Sequence, residues 1–111
     1  MKIIYNNILP PKGYIGINLF GLLFVRNNTN ISDKLINHEN IHTHQMKELG
    51  YIFFYILYII EFIFRLIQYR NWDKAYRNIS FEREAYDNDD NFSYLSYRKF
   101  FSFINYLNIN K

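Results

Sequence analysis

Hydrophobic residues come in runs whose spacing changes near residue 31. Before it they are contiguous, β-branched or aromatic: Tyr14-Ile15-Gly16-Ile17-Asn18-Leu19-Phe20, then Gly21, then Leu22-Leu23-Phe24-Val25-Arg26. Such runs read as strands. We expect two, forming either a hairpin that turns near Gly21 or one strand bulged there. Pro10-Pro11-Lys12-Gly13 is a turn cluster ahead of them.

From residue 32 the apolar spacing lengthens to three and four. Leu35, His38, His42, Gln45 or Met46, and Leu49 share one helical face. Ser32 or Asp33 can cap its start and Gly50 can close it in a left-handed turn, which predicts a helix over 32–50. A second helix over 51–70 is the most apolar part of the chain, and residues 51–60 carry no charge. Glu61 and Arg65 interrupt it and Gln68 continues their stripe, so the uncharged run is far short of the ~20 residues of a membrane span. A buried core helix is expected, with contact to a membrane surface as the alternative.

Residues 71–79 show no period and are expected to connect. Ser80 is a plausible N-cap for a helix over 80–91, and Asp87-Asn88-Asp89-Asp90-Asn91 breaks it. Near-helical steps from Tyr94 to Leu107 predict a last helix over 94–108. The expected fold is one α+β domain, mostly α: an N-terminal element of two or three strands followed by about four helices.

Composition narrows the chemistry. With 111 residues, 50% of them hydrophobic and 21% aromatic, the chain has enough apolar surface for one core and is not disordered. It has no cysteine, which excludes disulfides, thiolate zinc sites and iron–sulfur clusters. The net charge of +3 is scattered, with no basic run, so no nucleic-acid partner is expected. The N-terminal residues lack the apolar core of a secretory leader; a cytoplasmic location is expected, with membrane-peripheral placement as the alternative.

The chemically informative residues are His38-Glu39-Asn40-Ile41-His42, an H-E-x-x-H match. Imidazoles at i and i+4 stand one turn apart on one face, where both can reach a single metal ion. The intervening glutamate can take a proton from a water that the ion has acidified. A hydrolytic zinc site needs a third protein ligand. His44 is near in sequence but points around the helix, whereas Glu82 and Glu84 lie on a later helix, about 200° apart, so only one can face the metal.

His38-Glu39-x-x-His42 followed by Glu82-x-x-Ala85 resembles the gluzincin group of zinc metallopeptidases. The resemblance implies that Glu82, rather than Glu84, is the third ligand. Tyr86 stands where many gluzincins carry an aspartate that braces a histidine ligand, and Asp87 comes one position late. The chain is also similar to small bacterial proteins regarded as zinc peptidases, through residues 18–26, 38–45 and 75–86. That likeness covers most of its length and implies a zincin-like minimal domain with one zinc ion and a peptide substrate.

Around this constellation, Tyr76, Tyr86 and His44 are candidates for stabilising an oxyanion or donating a proton, each with an ordinary packing or surface role as the alternative. Arg77 or Arg83 can hold a carboxylate, and the 15–26 strand region can pair with an extended peptide. The expected function is zinc-dependent peptide hydrolysis with Glu39 as general base. The alternatives are a non-catalytic metal-binding or membrane-surface module and a hydrolase of a non-peptide amide.

Overall fold

A computed structural model describes residues 2–11 and 14–107; Lys12 and Gly13 of the expected turn, and residue 108 of the expected last helix, lie outside them. Strands β1 (Lys2–Asn6), β2 (Gly16–Leu19) and β3 (Leu22–Arg26) form a sheet in the order β1-β3-β2. β2 and β3 pair antiparallel with Leu19 opposite Leu22, so Phe20-Gly21 closes a two-residue hairpin rather than a bulge. Both loop residues have positive φ, 54° and 89°, as the twist-matched hairpin turns require.

Phe20 adopts a conformation normally left to Asn or Gly because its neighbours over-determine it. Its backbone N–H donates to the Tyr55 hydroxyl at 2.9 Å and its ring meets that of Tyr55 edge-on at 5.1 Å. Asn18 Oδ1 accepts from the Gly21 N–H. The N-terminal segment supplies the third strand, β1, parallel to β3.

Helix α1 (Asp33–Glu48) has the predicted caps: Ser32 Oγ accepts from Leu35 N–H at 3.0 Å, and Gly50 follows its end at φ 71°. Its buried face is Asn37, His38, Ile41, His42, Gln45 and Met46. Helix α2 (Ile52–Tyr69) departs from the buried-core expectation, since only Phe54 and Arg65 are buried. α1 and α3 (Trp72–Arg77) pack on one stripe of α2, and the start of α4 (Ser80–Asn88) meets the same stripe through Phe81. The outer half of α2 is therefore uncovered by the described residues.

Three element boundaries also differ from expectation. The 71–79 segment contains α3, capped by Asn71 Oδ1 accepting from Lys74 N–H; six residues are too few to display a helical period. Ser80 is the first helical residue of α4 rather than its cap. Glu61 of α2 takes that role, accepting from the Ser80 N–H at 2.7 Å and hydroxyl at 2.6 Å. α4 stops at Asn88, short of residue 91.

The single last helix is instead a short α5 (Tyr94–Tyr97) and a 3-10 helix over Ser102–Tyr106. The break follows from charge. Arg98 reaches in to Glu48 and Glu84, while Phe101, at φ 59°, donates its N–H to Glu48 Oε2 at 2.7 Å.

Candidate metal centre

α1 delivers His38 and His42 one turn apart, and α4, packed on α1, delivers Glu82 from its first turn against them. His38 Nε2 lies 3.2 Å from Glu82 Oε1, His42 Nε2 lies 3.1 Å from the same oxygen, and the two Nε2 atoms are 3.2 Å apart. All three residues are buried. Nitrogen and oxygen ligands at ~2.0–2.1 Å in tetrahedral array around zinc stand about 3.3 Å from one another, so this triangle has the size of three metal ligands.

The protons support the same reading. His38 Nδ1 faces Asp89 Oδ2 at 3.1 Å, and His42 Nδ1 faces Gln45 Oε1 at 2.8 Å. Both partners accept, and the Gln45 amide is oriented because its Nε2 donates to Phe81 O and to Glu84 Oε1. Both imidazoles therefore carry their proton on Nδ1, and two Nε2 lone pairs converge on a carboxylate oxygen. Such a cluster calls for a cation at its centre, and His38, His42 and Glu82 can hold a metal ion.

In the bare protein a proton meets part of that demand. Burial disfavours charge on His42, but the Glu82 carboxylate outweighs it and lifts the imidazole to about 9. Burial likewise opposes charge on Glu82, yet His42 and His38 pull its carboxyl well below the ordinary range. Glu39, half-buried in the cavity wall, is raised by desolvation, with both histidines partly offsetting the rise.

The remaining candidates separate clearly. Glu84 is fully buried on the far side of α4, where it pairs with Arg98 and accepts from Tyr94 Oη at 2.6 Å; it joins the metal group only through Gln45. His44 is exposed, donating to Asn40 O at 2.9 Å, and has no part in the cluster. Asp87 is exposed, and the brace on His38 is Asp89. Tyr86 sets its ring edge-on against His38 at 4.5 Å and shares a 3.0 Å hydrogen bond with Tyr76 through the hydroxyls. Arg77 stacks on the Tyr86 ring at 4.0 Å.

Sequence reasoning missed five supporting residues, the braces Asp89 and Gln45 and three more. Tyr58 of α2 donates to Glu82 Oε2 at 2.6 Å, which leaves Oε1 turned toward the histidines. Asn37 donates to the carbonyls of Asn88, Asp89 and Asn91, holding the loop that presents Asp89. Asn18 ties β2 to α1 by donating to Glu39 O at 2.9 Å and Thr43 Oγ1 at 3.0 Å. Of these, Gln45 had a signal in the sequence, its place on the histidine face of α1.

A cavity of about 910 Å³ opens over the cluster, bounded by the 15–19 segment, by Glu39, and by Phe54, Tyr55, Tyr58 and Tyr76. No protein family, curated protein or solved structure matches the chain.

Proposed function

We propose that the protein is a zinc-dependent hydrolase of peptide bonds, with His38, His42 and Glu82 holding the ion. The observation that carries this reading is the convergence of two Nδ1-protonated imidazoles and one carboxylate oxygen beside a half-buried Glu39. Two histidines and a carboxylate suit zinc among the divalent ions. Zinc bound there would polarise a carbonyl and acidify a water.

The chain's own groups account for the remaining steps. Glu39, its basicity raised by desolvation, accepts the proton from the attacking water and delivers it to the departing amine. Asp89 and Gln45 hold both imidazoles in the ligating tautomer, and Tyr58 orients the Glu82 carboxylate. Tyr76 borders the cavity, and burial next to Glu82 keeps its phenol protonated far above neutrality, so it remains an O–H donor suited to an oxyanion.

β2 is an edge strand whose residues border the cavity, which suits an extended peptide added alongside it. The test pairs metal analysis with cleavage of a mixed peptide library. The wild type should carry about one zinc per chain and cleave in a chelator-sensitive manner. Glu39→Gln should keep the metal and lose turnover. Turnover retained in Glu39→Gln overturns the assignment of the base, and metal without cleavage in the wild type leaves a non-catalytic metal module.

A further inference from the structure

The outer face of α2 inverts the usual logic of a surface helix, which turns its polar side to water. Ile52, Phe53, Ile56, Leu57, Ile59, Ile60, Ile63, Phe64 and Ile67 are all exposed, by 41% at least. At 100° per residue these nine fall within an arc of about 160°, and they run for about 23 Å along the helix. The helix's two charges, Glu61 and Arg65, face the protein instead and pair with each other at 3.2 Å. Contiguous exposed apolar area on this scale far exceeds the scattered exposed residues of a soluble monomer.

The chemistry of the face selects the occupant. It has no Gly, Ala or Ser that would let a second helix approach closely, and no polar group to hydrogen-bond across an interface. No charged position flanks it as in a coiled-coil dimer; its edge is Gln68. The apolar surface also continues beyond the helix. Leu57, Ile60 and Phe64 border a shallow hollow of about 300 Å³ with Phe103 and Leu107.

The C-terminal end of α2 carries the residues that seek a lipid headgroup region. Phe62 and Tyr69 lie outside the Ile/Phe arc, so the groups packed on them stand above it: Trp72, 68% exposed and bordering the metal cavity, sets its ring against Phe62 at 4.9 Å, Lys74 lies over the Tyr69 ring at 4.7 Å, and Arg70 is exposed at the helix end. We propose that this face docks on a lipid bilayer, with α2 lying in the plane of the surface, its Ile/Phe half among the acyl chains and its C-terminal aromatic and basic residues at the headgroups. The inner face of the same helix bounds the cavity over the metal cluster, so docking sets that cavity on the side of α2 away from the acyl chains, whether or not the site is hydrolytic.

The test uses the full chain, vesicle flotation and the single tryptophan, Trp72. Vesicles of phosphatidylcholine, and of phosphatidylcholine with phosphatidylglycerol at about 7:3, should both carry the protein upward, the anionic ones more strongly. Trp72 emission should shift to the blue and be quenched by shallowly brominated lipid. The variant Ile60→Glu/Ile63→Glu/Ile67→Glu changes only exposed positions, so its circular dichroism and metal content should match the wild type while its vesicle-bound fraction falls at least about tenfold. Protein that stays below the vesicles overturns the proposal, whether it is a dimer by light scattering or pellets on its own. So does a triple variant that floats as well as the wild type.

Discussion

The brace on His38 gives a sharp quantitative prediction. Asp89 is buried, and its Oδ2 accepts the His38 Nδ1 proton at 3.1 Å. In Asp89→Ala the metal-bound state must keep that proton on Nδ1, because Nε2 is committed to the ion, and an N–H is left buried without an acceptor. Such a group costs about 1–3 kcal/mol. The metal-free state escapes most of this cost, since the imidazole can move its proton to Nε2 and donate to Glu82 Oε1 at 3.2 Å. The penalty therefore falls on metal binding, about 10- to 100-fold in affinity.

The loop itself should survive the substitution, because Asn37 holds it through main-chain carbonyls. Lys34, 3.9 Å from Asp89 and largely exposed, contributes little. Competitive zinc titration against a chromophoric chelator reads the effect. Asp89→Asn, which retains a weaker acceptor, should fall between wild type and Asp89→Ala. Asp87→Ala, altering an exposed side chain, should bind as the wild type does. Asp89→Ala within about threefold of wild type, or Asp87→Ala equally weakened, would refute the bracing argument.

Other substitutions divide the carboxylates by role. Glu82→Ala should abolish stoichiometric zinc in elemental analysis, whereas Glu84→Ala should keep the zinc and lose about 3 kcal/mol in denaturant unfolding, because Arg98 is left with only Glu48. Tyr58→Phe removes the donor to Glu82 Oε2 and should weaken zinc binding about tenfold in the same chelator titration, without unfolding the domain. With His42 raised to about 9 in the metal-free protein, zinc must displace its proton at neutral pH. Affinity should therefore rise up to about tenfold from pH 7 to pH 8 and flatten above 9; a flat profile across that range would show that no proton is displaced.

What the sequence determines here is local. Two histidines four apart must share a face of any helix they form, and Ser32 and Gly50 bound that helix by satisfying backbone groups within a few residues. The strand runs on either side of Gly21 likewise predict pairing, although the turn there depends on Phe20 being pinned by Tyr55, a partner 35 residues away. The decision between Glu82 and Glu84 is different in kind, because they point about 200° apart and either could face α1 by spacing alone. The docking of α4 makes it: Glu82 meets the histidines, and Glu84 meets Arg98.

The break at residues 98–101 has the same origin. Local spacing favours one continuous helix, but Glu48 and Glu84 both draw Arg98 inward, and Glu48 also accepts from the Phe101 N–H. In α2, hydrophobicity on nearly every side leaves no polar stripe to say which face turns inward, beyond Glu61, Arg65 and Gln68. Glu61 and Arg65 mark the inner side only because partners from α4 and the C-terminal segment receive them: Ser80 donates to Glu61, and Arg65 donates to Leu107 O. Periodicity thus specifies which side chains travel together on an element, while the packing of elements decides which of those groups meet and which apolar face remains open.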